Sequence, residues 1–326
     1  MGGVLRDALG VARCTAMAAG IPAVFRYVCR DANEVTRSFD AVVAPLIEQA
    51  IGDDSRLAED AYNALLATSV KVGLAMWGYA AMAGVPFDAA LAALGSSFTR
   101  IYDDLVDNFA GHRLDDRLAG LFRGEVFVPL SGPETLLLLI YRAIETAVAR
   151  PADDPLFPIM RELHEYEWAS RAQRDPRISA LEVQRITRGK GGLGLTALFA
   201  LLRPGMSAEE RVVLLELGDV LQLLDDFHDV AIDHRDGVVT AATHGGTDVA
   251  GLAAKIRRLR TGFRRYYGPG RDRRLAAMLF VMLAGALVAS RRRVDRPRAV
   301  AAPRRRRTVF MRLFAQAGNL TPGPRA

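Results

Sequence analysis

The sequence predicts an all-α fold, on three observations. Apolar residues recur at helical spacing through residues 57–83 and 207–230. Helix-start signals precede later apolar runs: Ser179 stands three positions before Glu182, and Ser207 opens the run Ser-Ala-Glu-Glu. Two aspartate-rich runs, Asp103-Asp-Leu-Val-Asp107 and Asp225-Asp-Phe-His-Asp229, each close an apolar helical stretch. With 326 residues, 50% hydrophobic and 25% charged, the chain can bury a large core. One helical domain over 1–292 and an Arg/Pro-rich C-terminal tail over 293–326 are expected.

Residues 1–30 are alanine-rich and apolar, but Arg6, Arg13 and Arg26 interrupt the run a signal peptide needs, so a packed helix is expected. Asp31 to Arg37 is polar and reads as a turn before a helix carrying Val42, Val43, Leu46, Ile47 and Ile51. Gly52-Asp-Asp-Ser55 reads as a break with Ser55 as a cap, followed by a long helix from Leu57 to Ala83 that stops at Gly84 and Pro86. The helix from Phe87 to Asn108 delivers the first aspartate run, with Gly95, Ser96 and Thr99 on the face below it. Residues 109–133, punctuated by glycine and proline, read as irregular. Helices are expected again over 134–149 and 156–174. The next, from Ser179, brings Arg188 and Lys190 to a point where Gly191, Gly192 and Gly194 would loosen or kink the chain. The strongest helix is 207–230, and Asp233 to Gly237 reads as a loop beyond it.

Residues four apart on a helix share a face, so Asp103 pairs with Asp107 and Asp225 with Asp229. Six carboxylates, Asp103, Asp104, Asp107, Asp225, Asp226 and Asp229, facing one space would repel unless a cation sat among them. Oxygen ligands on rigid helices suit magnesium, which bridges carboxylates to substrate phosphates. His228, within the second run, is expected to face outward, since magnesium prefers oxygen.

The two runs, with Gln222 just before the second, resemble the paired aspartate motifs of class I isoprenoid synthases of the trans-prenyltransferase type. The resemblance extends to Lys190-Gly-Gly192 and to the Gly-x-x-Thr element ending at Thr240, and covers roughly residues 60–290. It implies a helical bundle around a central active-site cavity, about three magnesium ions (Mg2+) held by the six aspartates, and a prenyl diphosphate substrate gripped by Lys190, Arg188, Arg235 and Gln222. It also implies a homodimer. Trp77, Phe98, Thr99, Tyr102, Trp168 and Phe199 are the expected cavity lining, with Phe98 at the place where related prenyltransferases limit pocket depth. Arg265-Tyr266 is similar to a pair that some terpene cyclases aim at diphosphate.

The departures from that family direct the choice of reaction. Elongating members carry a glycine-lysine-arginine element before the first motif, where this chain has only Arg37, Arg56 and Lys71, and an arginine pair after it, where this chain has Arg113 and Arg117. A terpene synthase acting on one linear allylic diphosphate of C15 to C25, with C20 favoured, is therefore expected. The alternatives are a chain-elongating prenyl diphosphate synthase, a head-to-head condensing enzyme and a non-catalytic partner subunit.

Charge divides the chain: residues 251–326 hold 20 Lys plus Arg against 2 Asp, net +18, which leaves −12 on residues 1–250 of a chain whose total is +6. Leu275 to Ser290 is an apolar run read as a buried final helix. The arginine-rich tail is expected to make at most weak contact with anionic membrane, and no nucleic-acid partner is expected without a recognisable module. Two cysteines, Cys14 and Cys29, give no disulfide framework and suggest a reducing cytoplasm.

Overall fold

A computed structural model of the chain describes residues 2–52, 55–108, 112–151 and 154–294, without the side chains of residues 2, 55, 107, 108, 112 and 291–294. Among the described residues there is no strand; the fold is an all-α bundle. The helices are α1 (Gly2–Ala12), α2 (Ile21–Arg26), α3 (Ala32–Val42), α4 (Ala44–Ile51), α5 (Ser55–Ala83), α6 (Ala89–Asn108) and α7 (His112–Phe122). They continue with α8 (Gly132–Val148), α9 (Leu156–Ala169), α10 (Ala180–Leu202), α11 (Ala208–Asp236), α12 (Val249–Tyr267) and α13 (Arg273–Val294). A 3-10 segment, Thr15–Gly20, joins α1 to α2, and a second, Ser170–Arg174, prolongs α9.

Local chemistry sets many of the boundaries. Ser131, Ser179, Ser207 and Asp248 each accept a hydrogen bond from the backbone N–H three residues on, satisfying an orphan donor at the start of α8, α10, α11 and α12. Gly84 ends α5 and Gly237 ends α11 at positive φ, 72° and 68°, where an L side chain would be strained.

Four sequence expectations need correction. Residues 32–37 are helical, because Val35 and Phe39 lie one turn apart and bury together. The irregular stretch 109–133 contains α7, whose Leu114, Leu118, Leu121 and Phe122 form a buried stripe that the neighbouring glycines disguise. Asp233 to Asp236 is not a loop but the last turn of α11. The glycines after Lys190 do not break α10, which runs unbroken from Ala180 to Leu202. They let α10 and α11 meet backbone to backbone: a Cβ at Gly218 would sit 2.2 Å from the Gly191 carbonyl oxygen, and one at Gly191 would sit 2.7 Å from that of Gly218.

The remaining contacts arrange the helices around one space. α10 packs on α9 and α11, α6 lies against α3, α5 and α8, and α13 closes the ring against α5 and α11. Buried Glu210, at the start of α11, accepts hydrogen bonds from Tyr79 of α5 (2.9 Å) and Tyr267 of α12 (2.8 Å). Among the described residues, Arg56–Ala83 and Arg273–Ser290 are long and apolar enough to cross a membrane, as is the bent pair Gly3–Ala12 with Thr15–Ile51 if taken as one span. In Arg273–Ser290, Leu275, Leu279 and Leu283 are buried, whereas Val281 and Val288 are exposed.

Candidate active site

A cavity of about 270 Å³ lies between α5, α6, α8, α9, α10, α11 and α13, with Phe122 at the end of α7 also lining it. The chain order along each wall gives it a polar end and an apolar end. α6 contributes Gly95, Thr99 and Asp103 in ascending order, α11 ascends through Gly218 and Gln222 to Asp225, and α10 descends from Lys190 through Gly194 to Leu198 and Leu201. Gly95 touches Leu198 and Leu201, so these form the floor. Asp103 stands eight residues above Gly95, and at 1.5 Å per residue the floor lies about 12 Å below it.

Asp103 and Asp225, the first residue of each motif, both line the cavity. Asp104 turns aside and accepts from Arg100 one helical turn back, at 2.9 and 3.3 Å. The side chain of Asp107 lies outside the described residues. Along α11, Asp225, Asp229 and Asp233 follow at intervals of four and crowd one another. Burial, and then the charge of Asp225, pushes the Asp229 carboxyl up; burial, and then Asp229, raises Asp233 to about 6. Lys71 of α5 donates to Asp225 at 3.0 Å. Asp226 is buried behind the row and raised to about 7, by desolvation first and by Asp233 and Asp225 next. Its Oδ1 accepts from Gln222 at 3.1 Å, and its buried Oδ2 has no hydrogen-bond partner among the described residues.

This row suits a hard cation. Its donors are carboxylate oxygens that repel one another, and an orphaned buried oxygen stands beside it. Among the described residues no three His, Cys, Asp or Glu side chains close into a ready-made cage. Magnesium does not need one: it keeps several waters and is held by one or two carboxylates plus substrate phosphates. His228 is exposed, and its Nε2 lies 3.3 Å from the Met282 carbonyl oxygen on α13.

The other expected binders separate into two groups. Lys190 lines the cavity and pairs with buried Glu167 of α9 at 2.7 Å, and Gln222 lines it one turn below Asp226. Arg188 does not line it: two residues before Lys190 it points to the opposite side of α10, into a separate groove facing Arg258 of α12. Arg235 is exposed in the last turn of α11, paired with Asp236 at 3.1 Å. Tyr266 also lies outside the cavity, its hydroxyl 3.0 Å from that of Ser207.

The rings separate likewise. Phe98, Thr99 and Tyr102 line the cavity, and Phe98 stacks on Tyr102 with centroids 5.8 Å apart. Trp77 does not reach it; it packs on Tyr27 at 5.2 Å, with the Arg274 guanidinium 3.9 Å from its ring. Phe199 stacks on Tyr79 at 4.2 Å on the face of α10 away from the cavity, and Trp168 is half exposed on α9. Those two each stand one residue from a lining residue, Leu198 and Glu167, and one residue on a helix is a rotation of about 100°.

Sequence reasoning missed Glu167, Phe122, Tyr141, Phe157, Met278 and Met282 as lining residues, and gave Lys71 no place at the second motif. The i, i+4, i+8 spacing of Asp225, Asp229 and Asp233 was the signal for the third carboxylate. Behind the rings, Tyr102 Oη lies 2.6 Å from His164 Nδ1, and His164 Nε2 lies 3.2 Å from the Asp115 carbonyl oxygen. Burial lowers the His164 pKa and raises that of Tyr102 well above its ordinary value, so both stay neutral and hold α6 to α7 and α9. The loop after α11 is tied to the 3-10 end of α9 by Gln173, whose side chain donates to the Val239 carbonyl at 2.9 Å.

No known family model matches the chain, and no curated protein is similar enough to count as its relative.

Proposed function

We propose that the chain is a magnesium-dependent class I terpene synthase that ionises one linear allylic prenyl diphosphate. The observation that carries this reading is that Asp103 and Asp225, from two separate aspartate-rich helices, line the polar end of one apolar, ring-lined cavity together with Lys71, Lys190 and Gln222. Asp103, Asp225, Asp229 and Asp233 would hold the metal, with Asp226 behind them. Bound there, magnesium supplies positive charge that stabilises the departing diphosphate. Lys190 and Gln222 donate hydrogen bonds at the same end, and Lys71 adds a cation.

The apolar depth does the rest. Leu198, Leu201, Val148 and Leu156 offer no nucleophile and exclude water from an allylic cation. Phe98, Tyr102, Phe122 and Tyr141 also line the cavity, and aromatic rings stabilise a cation through their quadrupoles. A C20 chain is longer than this cavity is deep, so it enters folded back on itself, and folding brings its double bonds to the cation.

One observation favours chain elongation as the second reading: Lys71, upstream of the first motif, faces the cavity, where a second diphosphate would need a cation. The test is incubation with magnesium and geranyl, farnesyl, geranylgeranyl and geranylfarnesyl diphosphates, each with and without isopentenyl diphosphate. A hydrocarbon or terpene alcohol from one substrate alone is expected. A longer diphosphate formed only with isopentenyl diphosphate would establish elongation, and no product from any mixture would count for a partner subunit. Asp103→Ala and Asp225→Ala are each expected to abolish turnover.

A further inference from the structure

The outer flank of the bundle carries an apolar surface unlike the rest of the molecule. Among the described residues, eight of the sixteen exposed large apolar side chains sit on α1, on α2 with the π-helical segment Tyr27–Asp31 after it, and on α13. They follow helical spacing. Leu5 and Leu9 are four apart on α1, Ile21, Phe25 and Val28 fall at i, i+4 and i+7, and Val281 and Val288 are seven apart on α13, so each set shares a face. Phe25 is 67% exposed.

The three sets adjoin. Gly20 lies so close to α13 that a Cβ there would fall 2.9 Å from that of Ala277, and Ile21 is the next residue. Val281 stands one turn beyond Ala277 on α13. α1 and α2 both contact α13 as well. Met278 and Met282 of α13 face the cavity, and Val281, three residues beyond Met278, lies about 60° round the helix from it, so the exposed strip borders the cavity wall.

The charges on this flank are mostly positive. Arg13, Arg26 and Arg30 are exposed beside the strip, Arg273 and Arg274 begin α13, and three arginines follow Ser290 in the sequence. Asp31, exposed Glu34 and half-buried Asp7 of α1 are acidic residues on the same flank. A second copy of the chain is a poor occupant, because a two-fold contact through this strip sets one largely basic margin against another. An anionic bilayer meets both features at once, taking the apolar side chains into its headgroup boundary and the arginines against its phosphates.

We infer that α1, α2 and the exposed strip of α13 form a docking surface for anionic lipid membrane, on which the bundle lies without spanning it. This concerns the surface alone and holds whichever reaction the cavity carries out.

Cys29 gives a direct probe, since it is exposed next to Val28 whereas Cys14 is buried. The full chain is labelled at Cys29 with an environment-sensitive fluorophore and mixed with vesicles of phosphatidylcholine, or of equal parts phosphatidylcholine and phosphatidylglycerol. A blue-shifted rise and co-flotation are expected with the anionic vesicles only, reversed by high salt. Arg26→Ala with Arg30→Ala should weaken binding by roughly tenfold or more, at about fivefold for each basic residue near the surface. Phe25→Ser with Val28→Ser should weaken it by about tenfold or more, and since both side chains are exposed the melting temperature should not fall. Four results would overturn the inference: no flotation, equal flotation with neutral vesicles, indifference to both pairs of substitutions, or a dimer that dissociates with Phe25→Ser. Protein that resists carbonate extraction from membranes would mean a span and would overturn it too.

Discussion

Asp226→Asn should stabilise the metal-free protein while removing turnover, and the structure gives the size of the gain. Burial and the charges of Asp233 and Asp225 raise Asp226 from 3.8 to about 7. Across that window the folded state holds a proton that the unfolded state has released, so stability falls as pH rises from about 4 to about 7 and stays low above it. At about 1.4 kcal/mol for each tenfold in proton affinity, the ionised carboxylate costs the fold at most about 4 kcal/mol at pH 8. Water penetration and relaxation reduce that to an expected gain of about 2 kcal/mol or more. Asparagine keeps an acceptor for Gln222 and places a donor beside Asp233. Chemical unfolding of both proteins in a chelator at pH 5 and pH 8 isolates the effect, because the other groups largely cancel in the difference. The advantage of the variant should be larger at pH 8 than at pH 5 by about 1 kcal/mol or more, since part of the cost is already present at pH 5. An equal advantage at both, or a loss at pH 8, would refute the claim that crowding and burial of charge strain this site.

The same crowding predicts that magnesium stabilises the protein more at pH 8 than at pH 5, since bound carboxylates must first lose their protons; at a hundredfold excess over Kd the gain is about 2.7 kcal/mol, read as a rise in melting temperature. Gly218→Ala would drive a methyl group into the Gly191 backbone and should cost about 3 kcal/mol with loss of turnover; an unchanged melting temperature would show that α10 and α11 can part freely. Phe98→Ala removes a ring from a cluster with Tyr102, Phe122 and Tyr141, and should cost about 3 kcal/mol while moving preference toward longer prenyl chains. An unchanged chain-length profile would place the depth limit elsewhere.

What could be read from sequence was what depends on short-range spacing. The caps at Ser179 and Ser207, the stop at Gly84 and the shared face of Asp225 and Asp229 all follow from residues within about two helical turns of one another. Rotation about a helix axis was not legible at the resolution the site demands. Trp168 was selected and its neighbour Glu167 overlooked, and Arg188 was placed with Lys190 although two residues put them on opposite sides of α10. α7 was hidden because its buried stripe is interrupted by Gly120 and flanked by Gly111 and Gly124, which by composition mark a loop. The glycines after Lys190 were read through backbone freedom, whereas their use is tertiary: they matter because Gly218, some thirty residues later, needs the space.

That close approach has a chemical consequence. With ordinary side chains between them, two helices sit 8–10 Å apart; glycine on both surfaces brings the axes of α10 and α11 nearer, and with them Lys190 on one and Gln222 and Asp225 on the other. Cation and carboxylates are thereby held at the same end of the cavity by rigid backbone rather than by long side chains. Lys190 does not relax onto Asp225, because Glu167 holds it from the α9 side at 2.7 Å. Lys71 meets that aspartate from α5 at 3.0 Å. The polar end thus has two cations and several crowded carboxylates, arranged so that part of the negative charge is left unneutralised. Asp226 and Asp229 retain raised proton affinity even with Lys71 in place, and that residual strain is what an incoming divalent cation would relieve.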